Sequence, residues 1–296
     1  MPLKKVISQN GFILMIISTF LFSFASLFVK ISSNDCGIPV FEIVFVRSLI
    51  NTIIIVIIAG VRKENLLGVN KKLLLTRSLL GFTALVAFFY SLSLIKFANA
   101  VILTYTSPIF AAIFSVVFLK HRASPILGLK IFVALAGATL VIKPSFEMFN
   151  LGGLLGLASG MLAASAYMSV KELNKSNGWV TIVFYFSFIS SVLSLPMMLN
   201  DYVMPDKKAA VLLISVGVFA SFGQIFMTKA YQFLEASQGT LISLFSIVIS
   251  MVLSHFVLGE NLGLLTIIGG TLVFAGTGGV TLLRPLLFHR HPNKNF

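Results

Sequence analysis

Gly11–Lys30, GFILMIISTFLFSFASLFVK, lines up with Gly152–Lys171, GGLLGLASGMLAASAYMSVK, at an offset of 141 residues. Downstream, Ala98–His121 matches Ser237–Glu260 at an offset of 139, so two halves of nearly equal length carry the same landmarks in the same order. Self-similarity on this scale decides the architecture before any local motif does. The chain reads as two repeats, 1–145 and 146–296.

The composition says what kind of repeat this is. Of 296 residues 57% are hydrophobic and only 10% charged, too little polar surface for a water-soluble globule. A bilayer core of roughly 30 Å needs about 20 mostly apolar residues per helix. Runs of that kind fall at 11–31, 39–60, 73–95, 97–119, 125–142, 151–170, 179–199, 209–233, 236–258 and 262–283. The expected fold is an all-α membrane protein of ten transmembrane helices. With five spans per repeat, the second half begins on the side where the first does not, so the repeats are inverted. That arrangement suits a transporter, because exchanging the conformations of two similar halves exchanges the open side.

Loop charge gives the orientation. One side carries Lys4, Lys5, Arg62, Lys63, Lys71, Lys72, Arg77, Lys120, Arg122, Lys130, Lys171, Lys175, Lys229, Arg284, Arg290 and Lys294; the other carries Lys30, Lys96, Lys143, Lys207 and Lys208. Both termini are therefore expected in the cytoplasm, with the chain in a bacterial cytoplasmic (inner) membrane. The same bias accounts for the net charge of +13, since the cations flank spans instead of forming one basic face, and no nucleic-acid partner is expected. Lys4 and Lys5 precede an apolar stretch that resembles a secretory leader, but its length and missing small-x-small site mark a first span.

Chemistry is sparse. Cys36 is the only cysteine, and His121, His255, His289 and His291 lack metal-binding spacing. No nucleophile elbow or phosphate loop is present, so neither an enzyme nor a bound cofactor or metal is expected. An intramembrane lipid-linked transferase is the reading from another class; it requires convergent acid, base or metal groups that the spans do not offer. A lipid flippase or scaffold subunit shares helical repeats and is left open by the sequence.

Ionisable groups inside spans are costly and usually face a cavity or a partner. Glu42 and Arg47 lie in the second span, and Arg47 is eight residues past Pro39, about 12 Å along the helix. The two are about 140° apart around the axis, so each looks for partners on other helices. Arg47 reads either as an internal lock or as a substrate contact; Glu42, nearer the rim, reads as structural. The fourth span places Thr104, Tyr105, Thr106 and Ser107 ahead of Pro108, which removes a backbone hydrogen bond at depth and makes this helix a cavity candidate. Ser243 and Ser246 occupy the matching region of the ninth span, and Gln224 is a buried amide needing partners. Tyr90 and Tyr167 are aromatic candidates for stacking on a planar solute. Candidate substrate-binding residues are thus Arg47, Tyr90, Tyr105, Ser107, Gln224, Ser243 and Ser246. Gly152, Gly156 and Gly160 recur on one helix face, which reads as close helix packing, with a homodimer contact or a sliding surface as the alternative.

The stretch FEIVFVR ending at Arg47, Arg77 in TRSLLG, the Tyr105-Thr106-Ser107-Pro108 passage and GENLGLLTIIGGTLVFAG from Gly259 together resemble the drug/metabolite transporter superfamily, in its ten-helix EamA-type branch. Ile247 replaces the second-half equivalent of Pro108, and Lys120-His121 replaces the Gly259-Glu260 pair. The resemblance implies two bundles around a central cavity, alternating access, and passage of a small organic solute, often an amino acid or related metabolite. An uptake or exchange carrier for S-adenosylmethionine, a nucleoside or a flavin-like solute is the alternative. Spans one, six and seven hold no acidic residue in their apolar cores, an argument for facilitated diffusion or exchange over obligatory proton antiport.

Overall fold

The computed structural model describes residues 9–119, 150–234 and 242–276, together with positions 129, 132, 133, 136, 137, 139, 140, 239 and 240. Most of the expected fifth span at 125–142, the Lys120-His121 hairpin, Gly128, Gly279 and both termini lie outside the described residues.

Among the described residues every regular element is helical. In chain order they are α1 (Gln9–Asn34), α2 (Val40–Arg62), α3 (Lys71–Leu94), α4 (Phe97–Thr104), α5 (Ser107–Leu119), α6 (Leu151–Leu173), α7 (Trp179–Asn200), α8 (Lys207–Phe233), α9 (Phe245–Phe256) and α10 (Leu264–Gly276). Six of them, α1, α2, α3, α6, α7 and α8, are long and apolar enough to cross a membrane. Their outer faces are apolar: Ile57 is 60% exposed, Val61 80% and Val211 64%. A belt of this kind is tolerable only against lipid or a partner, and the chain is an integral multi-pass membrane protein.

Local sequence signals start and stop these helices. The side chains of Asn70, Asn150 and Asp206 accept from the backbone N–H groups of Leu73, Gly153 and Ala209, satisfying donors that a helix start leaves free. Lys63 closes α2 in the left-handed conformation at φ 52°. Along the spans, Ser23, Ser78, Ser187 and Ser221 return their hydroxyls to carbonyls four residues back, so the abundant buried serines mostly solvate their own helices.

The fourth span departs from the continuous helix expected over 97–119. It ends at Thr104, turns through Tyr105 and Thr106, and restarts at Ser107. Pro108 has no N–H for the carbonyl of Thr104. A Cβ on Gly160 would lie 2.7 Å from that oxygen, so α6 approaches the break at a distance only glycine permits. Gly152 and Gly156 complete the row against Ile95, Leu103 and Ser91, which makes the glycine face a packing surface within the chain. The ninth span is interrupted likewise: Gly239 and Thr240 are helical, Ser243 and Leu244 form a turn, and α9 restarts at Phe245.

Packing runs across the halves more than within them. α1 lies along α8, α3 along α6, α2 against α7, and α4 against α9. Three polar contacts join the α2–α3 loop to the start of α7: Val69 N–H donates to Asn177 Oδ1 (2.8 Å), Thr181 Oγ1 to the Asn65 carbonyl (3.0 Å), and Tyr185 to the Leu67 carbonyl (2.7 Å). At the other end the carboxylate of Glu42, at the start of α2, accepts from Val203 N–H (3.1 Å) in the α7–α8 loop. α2 and α7 therefore run in opposite directions. The same end carries Glu260, which accepts from Phe97 N–H at the start of α4 (3.0 Å) and from the Ser254 hydroxyl, while Lys96 Nζ donates to the Asn261 carbonyl (2.7 Å) and Lys208 faces Asp35 (3.8 Å).

Candidate functional site

A cavity of about 850 Å³, part of it open to solvent, lies where α1, α2, α3 and the α4–α5 break meet α6, α7 and α8. Its walls are mostly rings and small apolar groups: Phe22, Phe88, Phe89 and Phe186, with Ala84, Ala163, Ala166 and Ala220 giving room between helices. Polarity is confined to Arg47, Arg77, Ser26, Thr104, Tyr105, Ser107, Ser159, Tyr167 and Gln224. An apolar lining with a few convergent polar groups is the usual form of a small-molecule site.

Two guanidinium groups dominate it. Arg47 on α2 is 5% exposed, with its guanidinium carbon 5.9 Å from the Phe89 ring centre and 5.7 Å from that of Phe186. Arg77 on α3 is 2% exposed and lies 4.1 Å over the same Phe186 ring. Its Nε and one Nη have no hydrogen-bond partner among the described residues. Gly81, one turn further along α3, makes the room: a Cβ there would come within 2.7 Å of the Arg77 Nη1 and 3.0 Å of Phe186. Both cations thus share one aromatic wall, and among the described lining residues there is no carboxylate.

The α4–α5 break supplies the neutral polar side. Thr104 Oγ1 and Ser159 Oγ lie 2.7 Å apart across the halves, and Thr106 Oγ1 donates back to the Leu103 carbonyl at 2.6 Å. Tyr167 packs on Tyr231 with ring centres 5.9 Å apart. Gln224 is 3% exposed and donates weakly to Thr228 Oγ1 at 3.4 Å, leaving most of its amide capacity for the cavity.

Of the residues singled out in the sequence, Arg47, Tyr105, Ser107 and Gln224 line this cavity. Tyr90, Ser243 and Ser246 are not among its lining residues. Tyr90 packs edge-on against Phe41 at 5.7 Å, Ser243 returns its hydroxyl to the Gly239 carbonyl at 3.0 Å, and Ser246 meets Ser23 hydroxyl to hydroxyl at 2.8 Å. Glu42 is buried at 1% and holds a backbone N–H, in keeping with a structural role. Arg77 was missed as a site residue, because the loop-charge count places it on the surface beside Lys71 and Lys72. It lies six residues past Lys71, nearly two helical turns inside α3, and that spacing was the available signal.

The model of the EamA-like transporter family matches the chain twice, over residues 9–143 and 150–282. The pseudopaline exporter CntI of Pseudomonas aeruginosa is 31% identical over 267 residues, covering 90% of this chain and 93% of the exporter. Human solute carrier family 35 member G1 is 27% identical, over 82% of this chain and 70% of its own. An S-adenosylmethionine uptake transporter of Rickettsia bellii is 23% identical, over 80% and 82%. A crystal structure superposes with a TM-score of 0.68 at 16% identity, over 94% of this chain and 98% of the other, a likeness of fold alone. The chain belongs to the EamA-like transporter family, within the drug/metabolite transporter superfamily.

Proposed function

We propose that this protein is a secondary carrier that moves a small organic metabolite across a bacterial inner membrane by alternating access. The moving parts are two inverted five-helix repeats, 1–145 and 146–296, with both termini cytoplasmic. The observation that carries the reading is the central cavity: both halves line it, and polar contacts join the halves at either end of the bundle. Antiparallel α2 and α7, and the pairing of α1 with α8 as α3 pairs with α6, support the inverted relation. Transport names among the relatives support carriage of a metabolite. They differ in direction, one an exporter and one an uptake system, so export and import both remain compatible with the fold. The lipid-linked transferase gains no support from a lining whose described residues hold no carboxylate.

The test is solute counterflow in proteoliposomes. Wild-type protein is expected to exchange labelled for unlabelled solute without a pH gradient or membrane potential. Arg47→Ala should abolish exchange, whereas Arg47→Lys, which keeps a cation without the planar fork, should retain part of it. Wild-type exchange by Arg47→Ala at matched reconstitution would remove Arg47 from the site.

A further inference from the structure

Resting on the carrier reading, we propose that the central cavity recognises an organic solute of net negative charge, a carboxylate held by Arg47 and Arg77 together. Buried cations in proteins are normally paired, because leaving water is costly and a counter-charge offsets it. Here the two arginines are 5% and 2% exposed, share the Phe186 ring, and face no carboxylate among the described residues of the lining. The neighbouring groups are rings, methyls, hydroxyls and one amide, none of which neutralises a charge.

Two like charges facing one cavity also repel each other, and an anion between them offsets that repulsion. The Nε and Nη1 of Arg77 are buried without a hydrogen-bond partner among the described residues, so the guanidinium holds donor capacity that a carboxylate can use. Around it Phe22, Phe88 and Phe89 offer contact for a carbon skeleton, and Gln224 with Tyr167 offers orientation for a second polar group. A solute whose net charge is positive, such as a sulfonium or a free amine lacking an acid, meets two cations there with no compensating carboxylate. A zwitterion gains from one end and loses at the other.

The experiment measures thermal stability of the purified full-length protein in detergent, because a ligand that binds the folded state raises it. The probes are aliphatic and aromatic mono- and dicarboxylates, each beside its amide and its amine analogue, for example 3-phenylpropionate, 3-phenylpropionamide and 3-phenylpropylamine, with phenyl phosphate as a second anion. Carboxylates are expected to stabilise and the matched amides and amines are not. Arg47→Gln and Arg77→Gln should each weaken the response roughly 10- to 100-fold, the worth of a charge-assisted hydrogen bond. Independently of any probe, ligand-free Arg77→Met should be at least as stable as wild type, since a buried cation facing no carboxylate among the described lining residues is replaced by a side chain that still packs on the Phe186 ring. Lower stability of that variant would mark the arginine as a structural lock and overturn the proposal. Amides as effective as acids, silence from every acid, or preference for phenyl phosphate would overturn it too. Counterflow of a neutral or cationic solute, blocked by filling the cavity with Ala163→Leu, would overturn the anion and leave the carrier intact. Arginine-dependent binding of acids with no solute moved in counterflow would do the reverse.

Discussion

Among the described residues, the hydrogen bonds and ion pairs between the halves come from charged side chains at one end of the bundle and from neutral ones at the other, where Arg62 adds only a ring contact to Trp179 at 5.8 Å. Where α2 begins, Glu42 holds Val203, Glu260 holds the start of α4, Lys96 holds Asn261, and Lys208 faces Asp35. Where α7 begins, the work falls to Asn177, Thr181 and Tyr185. α2 and α7 start at Val40 and Trp179, an offset of 139, so Glu42 and Thr181 stand at corresponding positions. Each ties down the other half's loop, one as a carboxylate acceptor and one as a hydroxyl donor. Corresponding positions of the two repeats thus share the place of a contact without sharing its chemistry, and the two ends are expected to respond differently to salt.

The largest effect that sharpens this contrast is expected at Glu42. Glu42→Ala removes a buried carboxylate that accepts from the exposed Val203 N–H and should destabilise by about 1.5 kcal/mol, read as a fall in melting temperature. Glu42→Gln keeps a carbonyl acceptor and should recover most of the loss. If both variants melt alike, the charge and not the hydrogen bond is what matters there.

At Glu260 the side chain is only partly buried, so the expected cost of Glu260→Ala is nearer about 1 kcal/mol, and it should shrink as salt is raised from 0.05 to about 0.5 M. A loss independent of salt would place Glu260 among the neutral contacts. The smallest effects belong to Thr181→Val, about 0.6 kcal/mol and unchanged by salt, and to Lys208→Ala, a few tenths at most because its pair with Asp35 is long and exposed. A Lys208→Ala deficit larger than that of Thr181→Val would erase the distinction between the ends.

Much of the fold was legible because its causes are local or additive. Apolar runs of bilayer length mark α1, α2, α3, α6, α7 and α8, and an offset between two quoted segments marks the repeat. The site was half legible. Arg47 and Gln224 are conspicuous because charge and amide are rare at depth, and Tyr105 and Ser107 because they adjoin Pro108. Arg77 was hidden by neighbouring lysines that do lie at the surface, and Phe186 by the number of phenylalanines around it; its role exists only through the two cations it lies beneath. Ser243 and Ser246 lie in the ninth span opposite the Tyr105 region, yet they stand behind the lining, Ser243 bonded to Gly239 and Ser246 to Ser23 and Tyr105, a matter of rotation about an axis that sequence spacing does not specify.

The interruption of the fourth span recurs in the ninth. Ser243-Leu244 stands at the offset of Thr104-Tyr105, and Ile247 occupies the place of Pro108. Each turn carries short backbone bonds spanning three residues, from Thr106 N–H to Leu103 and Ile109 N–H to Thr106 in one, and, in a different register, from Ser246 N–H to Ser243 and Ile247 N–H to Leu244 in the other. A span of this fold can therefore turn without proline, as the ninth does with Ile247 donating where Pro108 has no N–H. In terms of descent, a duplicated unit can shed the proline from one copy and keep its joint, because the neighbouring helices hold the joint in shape. What the two joints have in common is then the neighbour that meets each from another helix, Gly160 against the Thr104 carbonyl and Ser23 against Ser246.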